Sequence, residues 1–231
     1  MDHEEIRRNI ERIRGEIAAA AARAGRDPAA VRLMAVTKTV DDERIRAAIE
    51  AGVDMIGENY VQEARRKIEA MGRDVPWHLI GHLQTNKAKY AVRLFEMIHS
   101  VDRPEVAEEL DRRAAALGRS VKVLIEVNVS GEATKRGVAP QDLVPLARLV
   151  STLPSLSLRG LMTMAPWSED PETARPYFAA LRRRRDEIAA LNLPGVVMEE
   201  LSMGMTDDYT VAVEEGATIV RIGRAIFGER G

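Results

Sequence analysis

Eight short apolar runs along this chain alternate with stretches of helical periodicity, and this alternation most constrains how the chain can fold. The apolar runs lie at 31–37, 55–56, 77–80, 97–101, 121–129, 158–162, 199–203 and 218–222. Such runs read as strands buried on both faces, and the intervening periods as helices that carry the chain back along the outside. The helical stretches fill 41–52, 61–71, 86–95, 104–118, 141–152, 172–191 and 207–215. A further helix over 3–23 precedes the first strand, with Ile6, Ile10, Ile13 and Ile17 along one face. Asp41 or Asp42 caps the next helix, and Pro104 opens a later one that Gly118 closes. Eight repeats predict an α/β fold of the (β/α)₈ TIM-barrel kind with an extra N-terminal helix. A doubly wound open sheet is the competing arrangement. No G-x-G-x-x-G follows the first strand, which weighs against its dinucleotide-binding form. No linker or low-complexity tract interrupts the chain, so residues 1–231 read as one barrel domain.

Composition excludes several classes. A net charge of −2 with interspersed signs supplies no global basic field for nucleic acid. Cysteine is absent, which removes disulfides, thiolate nucleophiles and cysteine-based zinc sites and fits a reducing compartment. The charged N-terminus has no signal-peptide core behind it, and no apolar stretch is long enough to span a membrane. The expectation is a cytoplasmic protein. Of its 34 basic residues only six are lysines.

One of those lysines is placed for chemistry. Lys38 ends the run Ala35-Val36-Thr37-Lys38, at the C-terminal end of the first strand, where barrels carry their ligands. Partial loss of hydration there favours the neutral amine, a nucleophile toward carbonyls. A surface lysine just past a strand is the plain alternative. The loops after the seventh and eighth strands, Leu201-Ser202-Met203-Gly204-Met205-Thr206 and Arg221-Ile222-Gly223-Arg224, occupy the recurrent phosphate-binding corner of barrels. Ser202 offers a hydroxyl, while Gly204 and Gly223 let backbone N–H groups approach closely. A lysine that takes an aldehyde beside a phosphate cup suits pyridoxal 5′-phosphate (PLP). Arg221 is then placed to face the pyridine nitrogen. As a permanent donor it would keep that nitrogen unprotonated, which weakens the ring as an electron sink.

These residues resemble the YggS/PROSC-type PLP homeostasis proteins, barrels related to the N-terminal domain of alanine racemase. The resemblance runs from about residue 5 to 230. It is carried by Ala35–Lys38, Gly57–Glu63, Trp77–Lys87, His99–Asp102, Gly160–Met162, Leu201–Met205 and Val220–Gly228. It implies that Lys38 carries PLP as a Schiff base, that Arg221 faces the pyridine nitrogen and that Asn59 lies beside the ring. It further implies that Ser202, Gly223 and Arg224 hold the phosphate. Arg224 is a departure, because the family often has Ser or Thr there; its backbone N–H is retained. Lys135 matches a recurrent family position without an assigned role. The implied function is a monomeric carrier, without dedicated catalysis, that buffers PLP and supplies it to apo-enzymes.

Two rivals stand beside this reading. An amino-acid racemase shares the barrel but needs a base on each face of the substrate, and one barrel accounts for the whole chain. A phosphosugar aldolase using Lys38 would explain the phosphate cup without the other motifs. His78 and His82 lack the H-E-x-x-H pattern of a zinc site, so no metal is expected. The basic run Arg182–Arg185 reads as a solvated helix face beside Asp186 and Glu187.

Overall fold

The computed structural model describes residues 2–132 and 135–229. Eight parallel strands close on one another in chain order: β1 (Arg32–Val36), β2 (Met55–Glu58), β3 (Trp77–Leu79), β4 (Met97–Val101), β5 (Val121–Glu126), β6 (Leu156–Met162), β7 (Glu200–Ser202) and β8 (Ile219–Ile222). Closure is made by β8 on β1, with Leu33 opposite Val220 and Met34 opposite Arg221. The barrel is therefore the arrangement adopted, and the open sheet is excluded.

The outer layer comprises α1 (His3–Arg23), α2 (Asp42–Glu50), α3 (Val61–Met71), α4 (Ala88–Leu94), α5 (Pro104–Ala115), α6 (Leu143–Ser151), α7 (Arg175–Ala190), α8 (Tyr209–Glu214) and α9 (Arg224–Phe227). Local chemistry sets several ends. The Asp2 carboxylate accepts from Glu5 N–H, Asp41 from Arg44 N–H, and Pro104 occupies the first turn of α5. The helix after β8 is a single turn, too short to cover its side of the sheet. The N-terminal helix takes that place: α1 packs on α2, α8 and α9 and buries Ile6, Ile10, Ile13 and Ile17.

The expected strand over 121–129 ends at Glu126. Beyond it Asn128 Oδ1 accepts from Gly131 N–H and its Nδ2 donates to the Glu132 carbonyl, and this turns the chain away. The helices expected from 86 and 172 start at 88 and 175, each after a 3₁₀ turn.

The main core lies between sheet and helices and takes alternate strand residues such as Leu33, Ala35, Ile56, Leu79, Ile98, Val123, Leu161 and Val220. Their neighbours point to the barrel axis by strand alternation. There two small clusters, Met34–Met55–Ile219 and Met97–Leu124–Met162, share the interior with buried polar groups from β3, β4, β7 and β8.

Candidate functional site

The C-terminal ends of the strands surround a cavity of about 380 Å³ lined by Lys38, Asn59, Glu126, Thr206, Arg221 and Gly223, among others. Parallel pairing of β1 with β2 and β8 brings these ends together. Of the residues singled out in the sequence, Lys38, Asn59, Arg221, Gly223 and Arg224 line this one space. A larger groove of about 500 Å³, between α3, α4 and α5, contains none of them.

Arg221 is buried at the cavity floor. Its Nη1 donates to Ser202 Oγ at 2.8 Å and its Nη2 to the Thr163 carbonyl at 2.8 Å. Burial pulls its pKa down to about 10, against the opposing pull of Asp208 and Glu126, so it stays charged at neutral pH. Ser202 does not line the cavity. Its hydroxyl is fully buried between Arg221 and His99 Nδ1 at 2.9 Å, and His99 Nε2 in turn meets His78 Nδ1 at 3.0 Å. Burial pushes His78 down to about 3 and His99 well below the ordinary imidazole value, so both rings are neutral. One consistent order has Arg221 donating to Ser202, Ser202 to His99 and His99 to His78. The geometry therefore makes Ser202 a support for Arg221 beneath the floor.

A different hydroxyl reaches the cavity. Thr206, four residues on, lines it and accepts from Ala225 N–H at 3.3 Å, which ties the β7–α8 loop to the first turn after β8. Gly204 serves packing: a Cβ there would come within 2.5 Å of Ala212 Cβ and 2.9 Å of Tyr209 Cα. The Arg224 guanidinium grips Asp207 at 2.6 Å through both carboxylate oxygens, so it is engaged across the cavity edge.

Three further residues line the cavity; Glu126 and Arg136 stand outside every sequence-based expectation, and His82 enters those only as a rejected metal ligand. Glu126 is buried, and desolvation, followed by the Asp102 charge, raises its carboxyl to about 7. Arg136 lines the cavity, whereas its neighbour Lys135 does not. His82 Nδ1 is buried 3.6 Å from Asp102 Oδ2, beyond hydrogen-bond range. His78 and His82 thus go to different places, the barrel axis and the mouth. Glu126 falls inside the fifth apolar run, where nothing local marks a strand end, whereas a hydroxyl in the loop after the seventh run marked Thr206.

The profile of the family described as "Alanine racemase, N-terminal domain" matches residues 1–231. This chain belongs to that family. A pyridoxal phosphate homeostasis protein of Aquifex aeolicus is 46% identical over 222 residues, 96% of each chain. One from Escherichia coli K12 is 40% identical over 98% of this chain and 97% of its own. PipY of Synechococcus elongatus, solved with PLP bound, superposes with a TM-score of 0.80 at 39% identity, covering 92% of this chain and 100% of that one. The alanine racemase of Corynebacterium glutamicum shares the fold, with a TM-score of 0.77 at 16% identity, and this chain spans 62% of its length.

Proposed function

We propose that this protein holds PLP in the strand-end cavity, covalently through Lys38, and acts as a reservoir that supplies apo-enzymes. The observation that carries the reading is the convergence of Lys38, Asn59 and Arg221 on one 380 Å³ space. The cavity also fits the group. Asn59 Oδ1 is buried there without a hydrogen-bond partner among the described residues, an acceptor left for a ligand to satisfy. When bound, PLP would supply a reactive aldehyde and an electron-withdrawing ring.

The protein's own residues do the rest. Lys38 provides the amine, and Arg221 a permanently charged donor held rigid by Ser202 and the Thr163 carbonyl. Thr206 and the backbone at Gly223 and Arg224 form the phosphate side; the Arg224 guanidinium stays with Asp207. A charged arginine cannot pass a proton to the ring nitrogen at neutral pH, which favours retention over carbanion chemistry. The 36–46% identity over nearly full length to proteins named for PLP homeostasis supports the same reading. A weak amino-acid racemase activity is the second reading, favoured by one observation: Glu126 lines the cavity with Lys38 and titrates near neutrality.

We infer further that the protein works in the cytoplasm as a monomer; among the described residues no helix is long and apolar enough to cross a membrane. The test is direct. The wild type should bind PLP with a visible absorbance band and, after borohydride reduction, give a secondary-amine adduct on Lys38 by mass spectrometry. Lys38→Arg should fold and give no adduct, because guanidinium does not lose its proton to attack an aldehyde. A wild type that stays colourless with added PLP overturns the reading. Transfer to an apo-aminotransferase in the presence of a trap for free PLP tests delivery, and robust Lys38-dependent racemisation would move the assignment to an enzyme.

A further inference from the structure

We propose that Lys67 and Glu63 are positioning residues for Lys38, through an ion-pair cluster that fixes the backbone on both sides of it. The inference rests on Lys38 being the point of covalent attachment. Lys67, on α3, is completely buried, and three acceptors surround its ammonium: the Thr37 carbonyl at 2.5 Å, Glu58 Oε1 at 2.7 Å and Glu63 Oε1 at 2.7 Å. Those three bonds use all of its protons. Thr37 Oγ1 donates to the same Glu58 oxygen at 2.5 Å, and Thr39 N–H donates to Glu63 Oε1 at 2.7 Å. Lys38 is therefore bracketed. The residue before it is held by both carbonyl and hydroxyl, the residue after it by its amide.

Two features argue that this cluster serves placement more than stability. Thr39 sits at φ +63°, a left-handed conformation unfavourable for a β-branched residue, and the Glu63 carboxylate holds its amide there. Glu58 also carries a penalty: burial raises its carboxyl, and Oε2 has no partner among the described residues. A buried ion pair of this kind seldom stabilises more than well-packed apolar groups would. Its contacts run from the ends of β1 and β2 to α3, so it ties the Lys38 turn to the outer layer. A fixed turn sets where the amine starts when it condenses with an aldehyde, a step that forms a C=N bond and releases one water. Displacement of a reacting group by about an ångström is enough to slow such a step severely.

The test compares PLP with pyridoxamine 5′-phosphate, which has the ring and phosphate but no aldehyde. Glu63→Ala, in a side chain about one quarter exposed, and Lys67→Met should slow adduct formation by about tenfold or more while leaving pyridoxamine 5′-phosphate affinity within about twofold. Glu63→Gln keeps an acceptor for Thr39 N–H and should restore most of the rate. Should Lys67→Met fail to fold, Glu63→Ala carries the test, with its unfolding midpoint checked against wild type. Equal losses for both ligands, or an unchanged adduct rate in Glu63→Ala, overturn the positioning role while PLP attachment itself stands. A wild type that forms no borohydride-reducible adduct overturns the attachment reading, and this inference with it.

Discussion

Two hydroxyls four residues apart show how finely the site depends on side-chain direction. Ser202 is the last residue of β7 and points into the barrel, where it orients Arg221; Thr206 stands above it in the loop and faces the cavity. Thr206→Ala is expected to weaken PLP binding about fivefold, the loss of one hydrogen bond, with little change in stability. Ser202→Ala should instead lower stability by roughly 1–3 kcal/mol, because it strands buried donors and acceptors on Arg221 and His99. Equilibrium titration and denaturant unfolding of the two variants separate these roles. Glu126 gives a pH-dependent test. Its carboxyl is raised from 4.5 to about 7 in the folded protein, so between those values the folded state holds a proton that the unfolded chain has lost. Stability from this group is therefore full below about pH 4.5 and lost as pH rises toward 7. Glu126→Gln should be more stable than wild type at about pH 8, by up to roughly 3 kcal/mol, with the difference gone near pH 4. A difference that does not change with pH would refute the assignment.

At the scale of elements, sequence periodicity located the helices closely because their signals are local. The α1 and α3 ranges follow directly from the isoleucine spacing and from the run Val61–Met71. The Arg182–Arg185 run lies on a partly exposed helix face: Arg183 is exposed, Arg182 reaches Glu215, and Arg184 and Arg185 pair with Glu187 and Asp186. Strand ends were less legible, since apolar character and single backbone contacts continue past the regular strand: Val127 N–H still donates to the Met162 carbonyl. Val127 still buries its side chain although β5 has ended one residue earlier. A bulge in β6 was also invisible: Val123 pairs with Leu158 and Leu124 with Gly160, which leaves Arg159 as the extra residue. Glycine is required there, because a Cβ would lie 1.9 Å from the Glu200 carbonyl oxygen on β7. Gly160→Ala is expected to destabilise the protein on the order of 3 kcal/mol and to loosen Arg221 through β7, read as a lower unfolding midpoint together with weaker PLP binding.

For the whole molecule, the decisive contact is the closure of the barrel. The sheet closes when β8 meets β1, and α1 covers the seam because α9 is only one turn long. Ile13, fully buried in α1, tests that arrangement. Ile13→Ala should cost about 2–5 kcal/mol, and the barrel should unfold in one transition, since the seam joins its first and last strands. Two separated transitions would show that the seam is not part of the cooperative unit. The sequence by itself determined the alternation of strands and helices, most element positions, and the candidacy of Lys38 and Arg221, because these follow from residue spacing and the chemistry of single side chains. Tertiary structure decided which strand ends meet and which polar side chains turn inward: the Ser202–His99–His78 file, the buried Lys67 cluster, and Thr206 rather than Ser202 at the cavity. The reason is geometric. Helix and strand periods are set by neighbours a few residues away, whereas the inward direction of a side chain depends on pleat, bulges and closure, which come from pairing between distant parts of the chain.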